Sequence, residues 1–289
     1  MPQWNCSCAN CTAARAGRIR RRTQSSVAIG DDNGGWFLIN AAPDLASQIE
    51  AHPSLQPNSG ALRNSPISGV LLTNADLDHV LGLFTLREGG PLSIHATQAT
   101  RAITNDFLGV TAILGAFCGT IWREPPTLEF APLIGNSGAA TTLMYRAIEL
   151  PGGAPAFAGG EPRPGAHSVA YQFMDQQSGG RLLVAPDVGG VNDALLKALT
   201  ESDAVLFDGT FWSDDELSRV KSSAPKASGM GHVTIRDCSL DLLRKLSARI
   251  KTYIHINNTN PILAPDSPEH AAVEAAGIRV GVDGDEFQL

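Results

Sequence analysis

The 289-residue sequence lacks long apolar runs and lacks an excess of positive charge, and each absence excludes a class of protein. No segment approaches the roughly 18 consecutive apolar residues of a membrane-spanning helix, so we expect no membrane segment. The formal net charge of −7 argues against nucleic acid as the main partner, because phosphate binding needs a basic surface. No charged stretch followed by an apolar one opens the sequence, so we expect a cytoplasmic protein without a signal peptide.

Cysteine is sparse as well, with five residues, and three of them cluster at Cys6, Cys8 and Cys11. In a reducing cytoplasm this clustering favours metal binding over disulfides. Structural zinc needs four soft or borderline ligands in a tetrahedron, and the cluster supplies three. We therefore predict that the segment 1–24 binds zinc and packs on the rest of the fold. Three free thiols on an unstructured end are the alternative.

The sequence does have enough apolar material for a large core, because 43% of its residues are hydrophobic. Apolar runs rich in β-branched residues predict strands, and amphipathic periodicity predicts helices, one of them at 234–246. Hairpins are predicted at 25–40, around a turn at 31–35, and at 168–185, with a loop at 151–164. Strands and helices alternate after each hairpin. This order indicates an α/β (α+β) fold with mixed sheets covered by helices.

Polar side chains follow several predicted strands at the points where those strands end. They are Asp76, Asp78 and His79 after the strand at 67–73, and Asp187, Asp208 and His255 after three later strands. Because sites in open α/β sheets form outside the carboxyl ends of strands, we expect these side chains to converge. Hard oxygen and borderline nitrogen donors predict a divalent metal such as iron, manganese or zinc.

Two imidazoles and a carboxylate that leave coordination positions open are the ligand set of non-heme iron(II) oxygenases. His79 and His255 can supply the imidazoles, and Asp78 or Asp76 can supply the carboxylate. His232 lies on a glycine-rich segment, where an imidazole can donate or accept a proton near neutral pH. The alternative is that an aspartate caps the helix after the strand and that each histidine is structural.

The segment 73–79, with the sequence Thr-Asn-Ala-Asp-Leu-Asp-His, resembles the His-x-His-x-Asp-His signature of the metallo-β-lactamase superfamily. Asn74 and Asp76 stand where the signature has its first two histidines, and the terminal Asp-His pair is kept. By context, Asp187 and His255 are similar to the bridging aspartate and the final histidine ligand of that superfamily. The Gly-His pair that ends at His232 resembles the catalytic Gly-His of its phosphodiesterase and tRNA-processing members.

A closer resemblance, to the pyrroloquinoline-quinone (PQQ) biosynthesis protein B family, runs almost from end to end. It is carried by the blocks at 3–11, 22–26, 40–44, 86–89, 208–212, 230–232 and 255–261. The resemblance implies an αββα four-layer sandwich of metallo-β-lactamase type, with two mixed sheets flanked by helices in a single domain over 1–289. It also implies a role in making the redox cofactor PQQ.

The resemblance leaves more than one activity open. One is iron-dependent hydroxylation of the tyrosine ring in the excised Glu-Tyr precursor of PQQ, and another is a carrier that moves PQQ or a precursor towards the periplasm. A phosphodiesterase-like hydrolase is a further alternative that rests on fold analogy alone. Loss of two signature histidines cripples one site of a two-metal hydrolase, whereas one metal with open positions suits O₂ activation. We therefore favour the hydroxylase.

On this interpretation iron(II) is the active-site metal, with zinc or manganese as alternatives, and zinc is the structural metal. The expected active-site ligands are Asp76, Asp78, His79, Asp187 and His255, and the expected catalytic residues are His232 and Asp208. Arg22 is expected to hold substrate carboxylates. Asn258 stands where related phosphodiesterases place a zinc-binding histidine, but asparagine is a poor zinc ligand, so Asn258, another residue or water completes the cysteine site. The expected partners are PQQ or its dipeptide-derived precursor and other proteins of the pathway, and a homodimer stays open.

Overall fold

Two compact units make up the computed structural model, which describes residues 1–30, 35–159, 163–221 and 223–289. The first unit contains Met1–Thr23, Leu150–Gly152 and Gly180–Leu289, and the second contains Gln24–Glu149 and Gly153–Gly179. Most of the turn predicted at 31–35 and part of the loop predicted at 151–164 lie outside the described residues. The single domain over 1–289, with 1–24 packed on it, stays a prediction.

Strands and helices alternate along the chain. The strands are β1 (Val27–Gly30), β2 (Trp36–Ile39), β3 (Ile67–Leu71), β4 (Leu92–His95), β5 (Thr120–Arg123), β6 (Ala131–Ile134), β7 (Ala140–Leu150), β8 (Ser168–Asp175), β9 (Arg181–Ala185), β10 (Ala204–Asp208), β11 (Ile250–Ile254) and β12 (Arg279–Val280). The α-helices are α1 (Ala9–Arg15), α2 (Leu45–Ala51), α3 (Leu77–Val80), α4 (Gln98–Leu108), α5 (Val110–Gly115), α6 (Asp193–Thr200), α7 (Leu240–Arg244) and α8 (Pro268–Ala275). Short 3₁₀ helices occur at Pro53–Leu55, Leu81–Glu88, Ala156–Ala158, Leu217–Arg219, Ser228–Met230 and Pro261–Leu263.

The second unit is built on a mixed sheet with the strand order β1-β2-β3-β4-β5. β1 and β2 form the predicted antiparallel hairpin, and the neighbouring pairs from β2 to β5 are parallel. β4 is buried along its whole length, and its last residue, His95, contacts Ile134 of β6 and Tyr145 of β7. In the same unit, β6 and β7 pair antiparallel.

A contiguous apolar core holds β3, β4 and the end of α3 in place. Its buried members are Leu38, Ala41, Leu45, Ile67, Val70, Leu72, Val80, Leu83, Leu92, Ile94, Ala96, Val110 and Leu114. Full burial of an aliphatic side chain contributes about 1.5–3 kcal/mol, so this cluster fixes the strand end that precedes the Asp-Leu-Asp-His turn. That turn therefore starts from a rigid base.

The first unit contains parallel strands in the order β12-β11-β10-β9. The side-chain oxygens of Asn192 and Ser267 accept hydrogen bonds from backbone N–H groups of the first turns of α6 and α8, and Pro268 occupies the first position of α8. Within the described ranges, no helix is both long enough and apolar enough to cross a membrane.

The amphipathic helix predicted at 234–246 is not one continuous α-helix. A π-helical turn at Ile235–Ser239 precedes α7, and the Ser239 N–H donates to the carbonyl of Thr234, five residues earlier, at 3.1 Å. The buried Ser239 hydroxyl shares a hydrogen bond with the Tyr253 hydroxyl at 3.0 Å. A π-helical turn holds one more residue per hydrogen-bonded ring than an α-helical turn, so it changes which side chains share a face. Sequence periodicity does not show this change.

Candidate metal and catalytic site

In the second unit, the chain leaves β3 and turns directly into α3, which carries Asp78 and His79. The His79 carbonyl accepts a hydrogen bond from the Ala41 N–H at 2.7 Å, and the Ala41 carbonyl accepts one from the Gly82 N–H at 2.9 Å. A Cβ on Gly82 would lie 2.3 Å from the Ala42 carbonyl oxygen, so only glycine permits this close approach. The backbone around His79 is therefore held on both sides.

The His79 ring is buried, and its Nδ1 lies 2.7 Å from Oδ1 of Asn74 and 3.4 Å from the Thr73 hydroxyl. Asn74 is itself oriented, because its Nδ2 donates to Asp76 at 2.8 Å and its Oδ1 accepts from the Asp76 N–H at 3.0 Å. The Nε2 of His79 lies 4.0 Å from a carboxylate oxygen of Asp78. The structure thus brings Asp76, Asp78 and His79 together on one turn, as the sequence predicts.

In the first unit, the parallel register of β9, β10 and β11 brings three strand ends side by side. Ala185 pairs with Phe207, and Asp208 pairs with Ile254. His255 follows β11 directly, Asp187 lies two residues after the end of β9, and Asp208 is the last residue of β10. His255 has a φ of +54°, in the left-handed region that a non-glycine residue seldom adopts. The predicted convergence of these strand ends is therefore present within this unit.

The Asp208 carboxylate is fully buried and accepts several hydrogen bonds. Its Oδ2 accepts from the Val188 N–H at 2.9 Å and from Nδ1 of His232 at 2.7 Å. Its Oδ1 accepts from the N–H and the hydroxyl of Thr210, at 2.9 and 2.6 Å. Burial alone would raise the pKa of Asp208, but the charge and hydrogen bond of His232, with smaller contributions from His255 and Thr210, outweigh it and lower that pKa.

His232 is the counterpart of this carboxylate. Burial acts to lower the pKa of His232, but Asp208 and, more weakly, Asp187 outweigh that effect, so the pKa lies above its ordinary value. The Nε2 of His232 lies 3.6 Å from Asp187, and its ring stacks on the His255 ring with centroids 5.7 Å apart. His232 can therefore hold a proton near neutral pH and present it beside Asp187 and His255.

Asp187, His232 and His255 offer ligand atoms that all lie within 4.8 Å of one another. The Nδ1 of His255 lies 3.7 Å from Asp187 and 2.8 Å from the Thr210 hydroxyl. A carboxylate and imidazoles on a partly buried surface fit a divalent metal of the iron, manganese or zinc type. Thr210 was not predicted as a functional residue, although it lies in the Asp-Gly-Thr block that follows β10.

The three N-terminal cysteines form a second cluster of the first unit, with sulfur atoms within 4.8 Å of one another. Nδ2 of Asn258 lies 3.4, 3.5 and 3.3 Å from the sulfur atoms of Cys6, Cys8 and Cys11. Asn10, which the sequence did not single out, donates to the carbonyls of Asn258 at 3.1 Å and Asn260 at 2.8 Å. The three sulfur atoms and the Asn258 amide thus surround one point, although Asn258 lies 247 to 252 residues from the cysteines in the sequence.

Arg22, the predicted carboxylate-binding residue, lies in the first unit near the C-terminal strand. Its Nε donates to the Gly281 carbonyl at 3.2 Å, and its backbone N–H donates to the Met1 carbonyl at 2.9 Å. Burial lowers the pKa of the guanidinium, although the Asp283 charge opposes that effect. The role of Arg22 in binding substrate stays a prediction.

Comparison with known proteins connects this geometry to a family. A family model described as a beta-lactamase superfamily domain matches residues 35–256. Coenzyme PQQ synthesis protein B of Stutzerimonas stutzeri is 38% identical over 100% of this chain and 95% of the relative. The protein of the same name from Rhodopseudomonas palustris strain CGA009 is 39% identical over 100% of this chain and 96% of the relative.

Solved structures agree with this relationship. The crystal structure of Zn²⁺-bound PqqB from Methylobacterium extorquens has a TM-score of 0.88 and 35% identity, covering 100% of this chain and 95% of the other. A diphosphatase of the PhnP family, with a TM-score of 0.66 and 19% identity over 99% of this chain and 90% of the other, shares the fold. The predicted metallo-β-lactamase fold, with two mixed sheets flanked by helices, is confirmed. The chain belongs to the coenzyme PQQ synthesis protein B family, within the beta-lactamase superfamily.

Proposed function

We propose that this protein acts in PQQ biosynthesis as an iron-dependent hydroxylase of the tyrosine ring in the excised Glu-Tyr precursor. Membership of the PQQ synthesis protein B family supports the role in the pathway. One observation favours metal chemistry above all: the ligand atoms of Asp187 and His255 lie within 4.8 Å of each other, beside His232, whose hydrogen bond to the buried Asp208 suits it to proton transfer. The zinc bound to the relative from Methylobacterium extorquens supports a metal in this family.

The donors fit such a metal, and the ligand set stays the predicted one. It consists of Asp76, Asp78, His79, Asp187 and His255. Bound iron(II) would supply the activation of O₂, which amino-acid side chains do not provide. The reaction converts a ring C–H bond to C–OH with one oxygen atom of O₂, while the other oxygen leaves as water after a reductant supplies two electrons and two protons. Zinc and manganese stay alternatives for the resident ion.

The side chains around His232 supply the proton chemistry in this proposal. The short hydrogen bond from Nδ1 of His232 to Asp208 fixes which ring edge faces Asp187. Asp208, and more weakly Asp187, act against burial to raise the pKa of His232, which favours its protonated form. His232 therefore acts as a general acid or base, and Asp208 orients it and stabilises its charged form. Arg22 remains the proposed partner of the substrate carboxylates.

The experiment is an anaerobic reconstitution with iron(II), followed by O₂, a reductant and the cross-linked Glu-Tyr substrate. We expect a hydroxylated product from the wild-type protein and loss of product in His79→Ala and His255→Ala. His270→Ala is the matched control, because His270 is bonded to the Ile262 carbonyl at 2.6 Å and belongs to neither predicted site. Tight PQQ binding with no turnover in any form would instead favour the carrier.

We also propose that Cys6, Cys8 and Cys11 bind structural zinc with Asn258 as the fourth ligand. A tetrahedral zinc with bonds of about 2.3 Å to sulfur and about 2.1 Å to oxygen has sulfur–oxygen edges of about 3.6 Å. The distances of 3.3–3.5 Å from the Asn258 amide to the sulfurs come close to that edge. A half-turn of the amide exchanges its nitrogen for its oxygen at nearly the same position. Elemental analysis should show loss of one zinc per chain in a triple Cys→Ser variant, and retained zinc would refute the site.

A further inference from the structure

The hydrogen bonds around His79 determine which of its ring nitrogens carries the proton. The Asn74 Nδ2 donates to the Asp76 carboxylate at 2.8 Å, and an amide nitrogen can only donate. The other end of the amide, Oδ1, must therefore be the atom that lies 2.7 Å from Nδ1 of His79. An amide oxygen can only accept, so Nδ1 of His79 carries the hydrogen. The lone pair of the neutral ring then lies on Nε2.

A different set of bonds leads to the same result for His255. The Thr210 hydroxyl has one proton, and its oxygen lies 2.6 Å from Asp208, 2.9 Å from the His255 carbonyl and 2.8 Å from Nδ1 of His255. Both the carboxylate and the carbonyl only accept, so each competes for that proton, and the 2.6 Å contact with the ionised Asp208 binds it. The hydroxyl oxygen must then accept a hydrogen bond from Nδ1 of His255. Again Nε2 keeps the lone pair.

We propose that Asn74 and Thr210 are positioning residues that hold His79 and His255 in the Nδ1–H tautomer, so that each presents Nε2 as a metal ligand. This inference rests on the metal site of the proposed function. Outer hydrogen-bond partners of metal-binding histidines fix the tautomer and raise the basicity of the ligating nitrogen. Asn74, which stands where the superfamily signature has a histidine, then supports a ligand rather than acting as one. Asp76 orients Asn74, and Asp208 orients Thr210.

The chain offers a matched pair of substitutions for Thr210. Thr210→Val keeps the size of the side chain and removes the hydroxyl, whereas Thr210→Ser keeps the hydroxyl. For Asn74, Asn74→Leu removes the amide, and Asn74→Gln keeps both the oxygen acceptor for His79 and the nitrogen donor for Asp76. We expect the first variant of each pair to bind metal about 10–100-fold more weakly than the wild type. The second variant should recover most of that loss.

The first readout is long-range ¹H–¹⁵N NMR of metal-free, ¹⁵N-histidine-labelled full-length protein, with signals assigned from His79→Gln and His255→Gln. We expect Nδ1–H for both rings in the wild type, a mixed tautomer for His255 in Thr210→Val, and Nδ1–H again in Thr210→Ser. The second readout is manganese(II) affinity, because this hard ion avoids thiolates and so does not report on the cysteine cluster.

An Nε2–H tautomer of either ring in the wild type would overturn the inference, and that measurement needs no variant to fold. Equal manganese affinity in Thr210→Val and Thr210→Ser would also overturn it for His255. The readouts are independent of turnover. A protein with both expected tautomers and no hydroxylated product would refute the hydroxylase while leaving the positioning roles intact.

Discussion

The supports behind His79 and His255 reach the same tautomer by different means. Behind His79 stands a neutral amide from the same turn, five residues earlier in the chain. Behind His255 stand a hydroxyl 45 residues away and, beyond it, a buried carboxylate that also binds His232. The Asn74 amide contacts only the His79 ring of the two. Asp208, in contrast, binds His232 directly and His255 through Thr210. We therefore expect Asn74 and Asp208 to differ most in what they contribute to the free energy of unfolding.

The largest expected effect comes from removing the charged support. Asp208→Ala leaves the Val188 N–H, the Thr210 N–H and the His232 ring without their buried acceptor. Removal of one partner from a buried charged pair costs about 3–5 kcal/mol, so we expect that decrease in the free energy of unfolding. Urea denaturation of the metal-free protein measures it. The exposed Asp266→Ala should change stability by less than about 0.5 kcal/mol.

If Asp208→Ala lowers the free energy of unfolding by less than about 1 kcal/mol, Asp208 does not act as a buried charged acceptor that stabilises the fold. In the second unit, Asn74→Leu should cost less, because it removes a neutral hydrogen-bond partner of His79 rather than a buried charge. Equal losses in the two variants would remove the contrast between the supports.

Glu216 is a second buried carboxylate, and unlike Asp208 it accepts hydrogen bonds only from neutral donors among the described residues. It accepts from the Trp212 N–H and the Thr259 hydroxyl, each at 2.6 Å. Burial raises the pKa of Glu216 to about 7, although these hydrogen bonds act to lower it. Because the folded pKa exceeds the ordinary value of 4.5, the folded state binds this proton more tightly. The associated stability is complete below pH 4.5 and is lost as the pH rises through 7.

We expect Glu216 to lower the free energy of unfolding by roughly 2–3 kcal/mol between pH 5 and pH 8, and Glu216→Gln to abolish that part of the slope. Denaturation curves of both proteins at several pH values give the difference. The exposed Glu124→Gln serves as the control and should retain the wild-type slope. A variant slope that equals the wild-type slope would show that Glu216 ionises normally.

The smallest expected effect concerns a histidine that is engaged at both ring nitrogens. His95 is buried, its Nδ1 lies 2.8 Å from the Tyr145 hydroxyl and its Nε2 lies 3.0 Å from the Ile134 carbonyl. The carbonyl requires Nε2–H, so Nδ1 accepts from the tyrosine. Burial lowers the pKa of His95 to about 4, so the ring stays neutral at pH 7. Both ring nitrogens of His95 are therefore used in hydrogen bonds within the fold, whereas His79 and His255 are proposed to present Nε2 to a metal.

Tyr145→Phe should cost about 1–2 kcal/mol, because it leaves Nδ1 of His95 buried without its donor. Thermal or urea unfolding measures the loss, and manganese affinity should stay unchanged. Weaker manganese binding in this variant would contradict the assignment of His95 to the core and of His79 and His255 to the metal.

The local parts of these features could be predicted from the sequence. Short segments with a clear pattern contain the apolar run before Asp78 and His79, the aspartates at the ends of β9 and β10, and the three clustered cysteines. Such patterns report the period of burial and the ends of strands, which depend on nearby residues. Each polar strand end of the first unit could therefore be predicted from its own segment, without knowledge of how the strands pair.

The side-chain pairings could not be predicted in the same way. The contact of Thr210 with His255 depends on the parallel register of β10 and β11, and the contact of Asn10 with Asn260 joins residues 250 positions apart. The π-helical turn before α7 depends on the buried Ser239–Tyr253 hydrogen bond rather than on periodicity. Sequence patterns contain no direct record of such distant partners, so the supports of the histidines appeared only with the fold.

In the proposed function, residues of this chain hold a metal that directs one oxygen atom of O₂ onto a tyrosine ring. The most direct test supplies ¹⁸O₂ and a reductant to the iron(II)-loaded protein with the cross-linked Glu-Tyr substrate, and measures the product by mass spectrometry. We expect one ¹⁸O atom in the ring for each hydroxylation, and none in His79→Ala. A hydroxylated product without ¹⁸O, or an unchanged substrate with metal fully bound, would contradict the hydroxylase.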